Sequence, residues 1–313
     1  VRAVRLREPG VLRVEEVEDP EPGPGRARIA VRAAGVHPAD LSCPDLPTTP
    51  GREVAGVVDA IGPDVDGAWL GRRVVTQLGL ADGGYAELAV REVGALHVVP
   101  EGVGFAAAVA MIRTGGTALG VLDAAGLDPD DVVLVTAAAG GVGGLLVRGA
   151  VLAGAFVVGL VGAADKRRAV LRAGAAAAVD YRRQGWRSEV AGALAGREVT
   201  AVLDGVGGAE GRGAFDLLGQ GGRLVVFGSS SGELLPMSTS DLFARSLTAV
   251  VAAGPHMARR AGGVRALEAR ALAEAGRLAP VVQEFPLAEA ARAHAALAGR
   301  RTVGKVVLLP GAR

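Results

Sequence analysis

Val132–Gly143 reads VVLVTAAAGGVG, and the next stretch, 144–154, reads GLLVRGAVLAG. An apolar, β-branched run passes into a glycine-rich turn and then into a segment with the composition of a helix. Strand, glycines and helix together bring backbone N–H groups against a pyrophosphate at a helix N-terminus. Glycine permits the tight turn, and with no Cβ it lets a ligand reach the backbone. The spacing fits the dinucleotide fingerprint G-x-G-x-x-G, with Ala138 in the first place, then Gly140 and Gly143, and Gly141 and Val142 between them. Alone the match is weak in a chain with 48 glycines, so its surroundings decide its meaning.

Downstream, candidate strands recur at Phe156–Gly162, Ala176–Tyr181, Thr200–Gly207, Gly222–Ser229 and Leu247–Gly254. Helical segments separate most of them, around Gly144–Ala153, Asp165–Ala173, Gln184–Leu194 and Glu210–Leu218. Alternation of this kind predicts a parallel sheet with right-handed crossovers. With Val132–Ala137 as the first, the six strands are the complement of a doubly wound dinucleotide-binding domain. The fingerprint follows that first strand, where a nucleotide binds.

Upstream, short strands and turns dominate. Val1–Leu6, Leu12–Val17, Ala27–Ala33, Glu53–Ile61, Arg73–Gln77 and Tyr85–Val90 alternate or run apolar between Gly/Pro punctuation, the pattern of a small β-barrel. Ala106–Ala110 and Thr117–Leu122 favour helix. After Gly254 the sequence predicts a long helix over Ala258–Ala275 and a further helix from Leu287. Tail strands at Val281–Phe285 and Thr302–Leu309 are expected to return to the N-terminal β domain. The expected organisation is a discontinuous domain, 1–118 with 256–313, and an inserted nucleotide domain, 119–255.

A net charge of +1 over 313 residues supplies no field for nucleic acid or an anionic membrane. Between Val132 and Ala164 the only charge is Arg148, but eight glycines interrupt the run, so two buried strands and a helix are expected there rather than a membrane span. Cys43 is the only cysteine, which excludes an intrachain disulfide and a four-cysteine zinc lobe. The charged start from Arg2 lacks an apolar signal core. A cytoplasmic location is the expectation.

Larger blocks then fall into place: GVHPADL at 35–41, PGREVAGVVDAIG at 50–62, GGYAE at 83–87, AAAGGVG at 137–143, DGVGG at 204–208, GGRLVVFGSSSG at 221–232 and TVGKVVLLP at 302–310. In order and spacing the chain resembles the medium-chain dehydrogenase/reductase superfamily over nearly its whole length, and most of all the zinc-independent quinone oxidoreductase (zeta-crystallin-like) branch. The resemblance implies a GroES-like β-barrel catalytic domain and a Rossmann domain with a six-stranded parallel sheet. Zinc-dependent relatives carry Cys where His37 stands and His where Arg52 stands. A guanidinium stays protonated and is no ordinary zinc ligand. No metal is expected; a site rebuilt from His37, Cys43 and Glu53 is the weaker reading. Quinone reductases of the branch usually carry Asn at position 37 and often a Tyr near 42, and the loop Cys43–Pro50 looks short here.

The cofactor expected is NADPH. A sheet selecting NAD places an acid at the end of its second strand, near Gly162, to bind the ribose 2′-OH. Here Ala163 and Ala164 follow, and the first acid is Asp165. Lys166 and Tyr181 fall where relatives hold the 2′-phosphate. By resemblance, Gly140, Gly141, Val142 and Gly143 face the pyrophosphate, Thr117 lies near the nicotinamide half, Phe227, Gly228 and Ser229 line its pocket, and Gly304 and Lys305 approach from the tail.

The reaction expected is reduction of a small-molecule quinone or enone acceptor by hydride. Charge developing on the carbonyl oxygen needs hydrogen-bond donors or a cation. His37 and Arg52 are the catalytic candidates, with His37 also a proton donor if it titrates near working pH. Asp40 is expected to brace the loop, and His97, His256 and His294 to be structural. Two other readings are a zinc-type alcohol dehydrogenase and an NADPH-binding accessory module with little turnover. Relatives commonly dimerise through the edge of the nucleotide sheet, so a homodimer through Leu247–Gly254 is expected.

Overall fold

The computed structural model describes residues 1–42, 46–79, 83–254, 257, 259 and 262–311. Cys43 and His256 fall outside this set, as does the side chain of Ser42. The chain divides into two compact units, one of residues 1–114 and 268–313, the other of residues 115–267.

The first unit opens with a hairpin, β1 (Arg2–Glu8) and β2 (Val11–Glu16), followed by β3 (Arg26–Gly35), β4 (Glu53–Ile61), β5 (Arg73–Gln77), β6 (Leu88–Glu92) and β7 (His97–Val98). The period-2 pattern is visible in β3: Ala27, Ile29 and Val31 are buried, while Arg26 and Arg32 face outward. Ile29, Val31, Val54, Val74 and Leu96 form the centre of its core.

In the second unit β8 (Val132–Val135), β9 (Phe156–Val161), β10 (Ala177–Asp180), β11 (Val199–Asp204), β12 (Leu218–Val226) and β13 (Thr248–Val251) form a parallel sheet. The order is β10-β9-β8-β11-β12-β13. Strand order reverses between β8 and β11, the switch point at which open α/β sheets bind ligands. All four residues of β8 are buried, as a strand covered on both faces requires. Between Val132 and Ala164 the apolar run resolves into β8, a helix at Gly141–Leu152 and β9. The chain then returns to the first unit as β14 (Val282–Pro286) and β15 (Lys305–Leu309). These extend that sheet in the order β14-β15-β3-β4-β5-β7, with β6 beside β3.

Three expectations change. The segments 106–110 and 117–122 belong to one helical run, Phe105–Ala125, joined through a π-helical turn at Met111–Gly115. The Thr-Gly-Gly sequence reads as a break, but burial of Met111, Ile112 and Ala118 holds the run together. This run is apolar and long enough to span a membrane, yet 67% of its most apolar window is buried in protein, as in a core helix. The strand drawn to Ala137 stops at Val135, because Ala137 turns to φ 47°. The helix drawn over Ala258–Ala275 is described as Gly263–Ala273 followed by a separate turn of helix, Ala275–Leu278; residues 258, 260 and 261 are outside the described set.

Candidate active site

In the second unit the site begins where β8 ends. Ala137, a residue with a Cβ, adopts the left-handed region, and Gly140 N–H donates to its carbonyl at 2.9 Å. A Cβ on Gly143 would overlap that same carbonyl oxygen, so this turn closes only with glycine there. The helix Gly141–Leu152 starts immediately, with Gly140 as its N-cap. Glycine offers no capping side chain, which leaves the first-turn N–H groups of Gly141, Val142 and Gly143 for an anion.

A buried hydroxyl and carboxylate tie this turn to its neighbour across the switch point. Thr136 Oγ1 donates to Asp204 Oδ1 at 2.7 Å and accepts from Gly205 N–H at 2.9 Å. Asp204 also accepts from Val206 N–H at 3.1 Å and Gly207 N–H at 3.0 Å. Burial pushes its carboxyl above the usual range, and these hydrogen bonds pull the other way. Phe227 lies against Gly205, where an added Cβ would overlap its ring. Phe227 and Gly228 are half-buried and Ser229 is exposed just past β12. Thr136 and Asp204 escape the sequence reading as site residues, although the DGVGG motif contains the acid.

At the ends of β9 and β10, the Tyr181 hydroxyl stands 2.9 Å from where a Cβ on Gly162 would be. Gly162 and Tyr181 therefore stand side by side. Lys166 is half-buried at the end of a short turn, Ala164–Lys166. Asp165 is exposed beside it, beyond the position from which an acid would bind a ribose. Thr117 is half-buried within the continuous helical run.

In the first unit, His37 precedes the 3₁₀ turn Pro38–Ser42. Its N–H donates to Asp40 Oδ2 at 2.7 Å, and its Nδ1 accepts from Ala39 N–H at 3.0 Å. With Nδ1 an acceptor, the ring proton belongs on Nε2. Asp40 is buried and takes the Tyr85 hydroxyl at 3.1 Å, and that hydroxyl lies 3.1 Å from His294 Nε2. The Tyr85 and His294 rings meet edge to face. Asp40 therefore braces the loop as expected, and burial raises its pKa. His294 belongs to this brace, which lone-residue reading could not show. His97, the other described histidine, pairs with buried Glu268 at 3.0 Å.

Burial, then the charges of Lys305, Arg113 and Arg52, push His37 down to about 4; Glu53 only partly opposes them. At about 4 the ring is neutral at pH 7, whereas an imidazole of ordinary pKa titrates close to working pH. Arg113, whose charge acts on His37, lies in the π-helical turn, where motif reading does not look. Arg52 is half-buried next to Glu53. Glu53 is fully buried, and its Oε2 lies 2.6 Å from Lys305 Nζ. Lys305, expected at the nucleotide, thus directs its ammonium to a carboxylate of the first unit. Gly304 precedes it at φ 72°.

Residues 23–104 match the family model described as alcohol dehydrogenase GroES-like domain, and residues 173–308 match the one described as zinc-binding dehydrogenase. A quinone oxidoreductase of Pseudomonas aeruginosa is 33% identical over 316 residues, covering 96% of each chain. A 2-haloacrylate reductase of Burkholderia sp is 31% identical, covering 95% of each. The solved Escherichia coli quinone oxidoreductase complexed with NADPH is 27% identical with a TM-score of 0.84, covering 99% of this chain and 100% of that one.

The residues here do not fit the zinc that one of these descriptions names. Arg52 stays protonated. The Glu53 carboxylate already faces an ammonium at 2.6 Å. Among the described residues no group of three or more His, Cys, Asp or Glu side chains is placed to hold an ion.

Proposed function

This chain belongs to the medium-chain dehydrogenase/reductase superfamily, in its zinc-independent quinone oxidoreductase branch, and from that premise we propose that it reduces a quinone or an α,β-unsaturated carbonyl by hydride transfer from NADPH. The observation that carries the reading is the turn after β8: a glycine-only closure, an uncapped helix N-terminus and a switch point coincide there.

The residues fit the nucleotide. The first-turn amides of Gly141, Val142 and Gly143 receive the pyrophosphate, and Gly140 lines it as the N-cap of the helix that presents them. Lys166 and Tyr181 hold the 2′-phosphate, and no acid at the end of β9 repels it. Phe227, Gly228, Ser229 and Thr117 are assigned to the nicotinamide half. NADPH, when bound, supplies the hydride; the chain orients the reactants and stabilises charge. His37 presents Nε2–H to the acceptor's carbonyl oxygen, and its neutral state is maintained by burial and the surrounding cations. Arg52 adds positive charge to the same place. The brace Asp40–Tyr85–His294 fixes the loop from which His37 projects.

The protein is further read as a homodimer. Phe243 is 90% exposed and Leu234 81% exposed, and Val251 on edge strand β13 is 62% exposed. A second copy pairing along β13 covers these side chains and removes an open edge. Light scattering at twice the chain mass is expected. A reducing cytoplasmic setting suits a chain with one cysteine.

The test is NADPH oxidation with a panel of quinones and 2-enones. Acceptor-dependent loss of the reduced nicotinamide absorbance is expected. Tight NADPH binding with no acceptor-dependent oxidation would favour the accessory module.

A further inference from the structure

We propose that Arg183 is a specificity-determining residue for the nucleotide: from the wall of a cavity it shares with Tyr181, its guanidinium pairs with the 2′-phosphate and makes the chain prefer NADPH to NADH. This rests on the NADPH reading above and names a residue that lies in none of the motifs carrying the family resemblance.

The cavity lies wholly within the second unit and measures about 440 Å³, in the range of small-molecule sites. Tyr181, Arg183, Trp186 and Arg187 line it from the segment after β10, and Ala209 and Glu210 from the first turn of the helix Gly208–Phe215. Tyr181 fixes which part of a dinucleotide reaches it. Its N–H donates to Val161 O at 3.0 Å, and its hydroxyl stands beside Gly162, so this wall adjoins the end of β9. In a doubly wound sheet the ribose 2′ position lies at that strand end. A phosphate on the 2′ oxygen therefore points to the Tyr181 wall, two residues from Arg183.

The backbone holds Arg183 in place. Asp180 Oδ1 accepts Arg182 N–H at 3.0 Å in an Asx turn, Arg183 N–H donates to Asp180 O at 3.2 Å, and Arg183 O accepts from Trp186 N–H at 3.3 Å. Gly185, at φ 78°, then turns the chain into the helix Trp186–Leu194. Both the N–H and the carbonyl of Arg183 are engaged, while its side chain stays exposed. Neighbouring cations are already occupied: Arg167 pairs with Glu189 at 2.7 Å, and Arg187 lies over the Trp186 ring, 4.0 Å from Asp216. Among the described residues, no ion pair or side-chain hydrogen bond engages the Arg183 guanidinium. That group stays charged and matches two phosphate oxygens with two N–H groups. Glu210 repels a phosphate, which directs it to the Tyr181–Arg183 wall. The indole of Trp186 is packed against the helix Gly208–Phe215, where a Cβ on Gly213 would overlap it, so the cavity keeps its shape before a ligand arrives.

The test is equilibrium titration of the full chain with NADPH, NADH, 2′,5′-ADP and 5′-AMP, wild type against Arg183→Ala. The variant is expected to bind NADPH and 2′,5′-ADP about tenfold more weakly and NADH and 5′-AMP within about twofold of wild type. Arg183→Lys keeps the charge without the planar fork and is expected to recover about threefold of that loss. The chain has two tryptophans, Trp69 and Trp186, so in Trp69→Phe the remaining indole lines the cavity. Saturating 2′,5′-ADP is expected to change its emission. Equal weakening of NADPH and NADH in Arg183→Ala would make the residue part of the scaffold and overturn the proposal. So would unchanged NADPH affinity, or 2′,5′-ADP bound without a response from Trp186. With a wild type that still prefers NADPH, those results leave the cofactor reading standing. A wild type that binds NADPH no tighter than NADH takes the cofactor reading and this proposal down together.

Discussion

The turn after β8 and the loop around His37, to which the proposed reaction gives the same task of holding charge on a small molecule, are built by opposite means. The turn uses backbone: glycines, a left-handed Ala137 and helix amides. The loop uses side chains gathered from distant places in sequence: Asp40, Glu53, Tyr85, Arg113, His294 and Lys305. A backbone site is strict about space, while a side-chain site is strict about charge and hydrogen bonds. Substitutions should separate the two.

The largest effect is expected from Gly143→Ala. Its methyl overlaps Ala137 O, the turn opens, and NADPH affinity falls about 100-fold, roughly 2.7 kcal/mol; fluorescence titration measures it. Affinity within about twofold of wild type would show that the turn yields more readily than its geometry implies.

At the side-chain site, Tyr85→Phe removes one hydrogen bond from the buried Asp40 carboxylate, which keeps that from His37 N–H, and the hydroxyl contact with His294. A stability loss of about 1–3 kcal/mol by urea unfolding is expected, with kcat down about tenfold and NADPH affinity unchanged. Altered NADPH affinity would blur the division between the two regions.

This contrast also explains what could be read from sequence. The β8 turn was legible because its chemistry is local: glycine spacing, strand and helix lie within about two dozen residues, and backbone amides need no partner identity. The alternation over 132–254 likewise carried the sheet, since each buried strand in a parallel sheet is apolar on both faces. The pair Glu53–Lys305 joins residues 252 positions apart. Only the pairings of β15 with β3 and β3 with β4 bring them together. The TVGKVVLLP motif marked Lys305, but not what it faces. Arg113 was hidden by a π-helical turn that sequence periodicity reads as a break. The His37 pKa depends on burial and three cations from separate segments, so its sequence neighbours could not reveal it.

Acid titration sharpens the comparison further. His37 goes from 6.5 in the unfolded chain to about 4 in the fold. Between those values the unfolded chain binds a proton that the folded one excludes. Stability present above pH 6.5 is therefore lost as pH falls through this window, by on the order of 2 kcal/mol, allowing for partial exposure. His37→Gln should flatten that part of the pH–stability curve. An unchanged curve would mean that His37 titrates normally.

The smallest effect is expected one residue from the largest. Gly144→Ala meets only Ala138 O, at 3.8 Å, an ordinary contact inside the helix Gly141–Leu152. It should raise stability by about 0.5–1 kcal/mol and leave NADPH affinity unchanged. Loss of affinity comparable with Gly143→Ala would place the strictness in the whole segment rather than in one turn.

The most direct measurement follows deuterium from the C4 position of NADPH into the product during a single turnover with an enone, using protein stripped by a chelator. Label bonded to carbon in the reduced acceptor, at an undiminished rate, is the predicted result. Label absent from the product, or turnover abolished by the chelator and restored by zinc, would contradict metal-free hydride transfer.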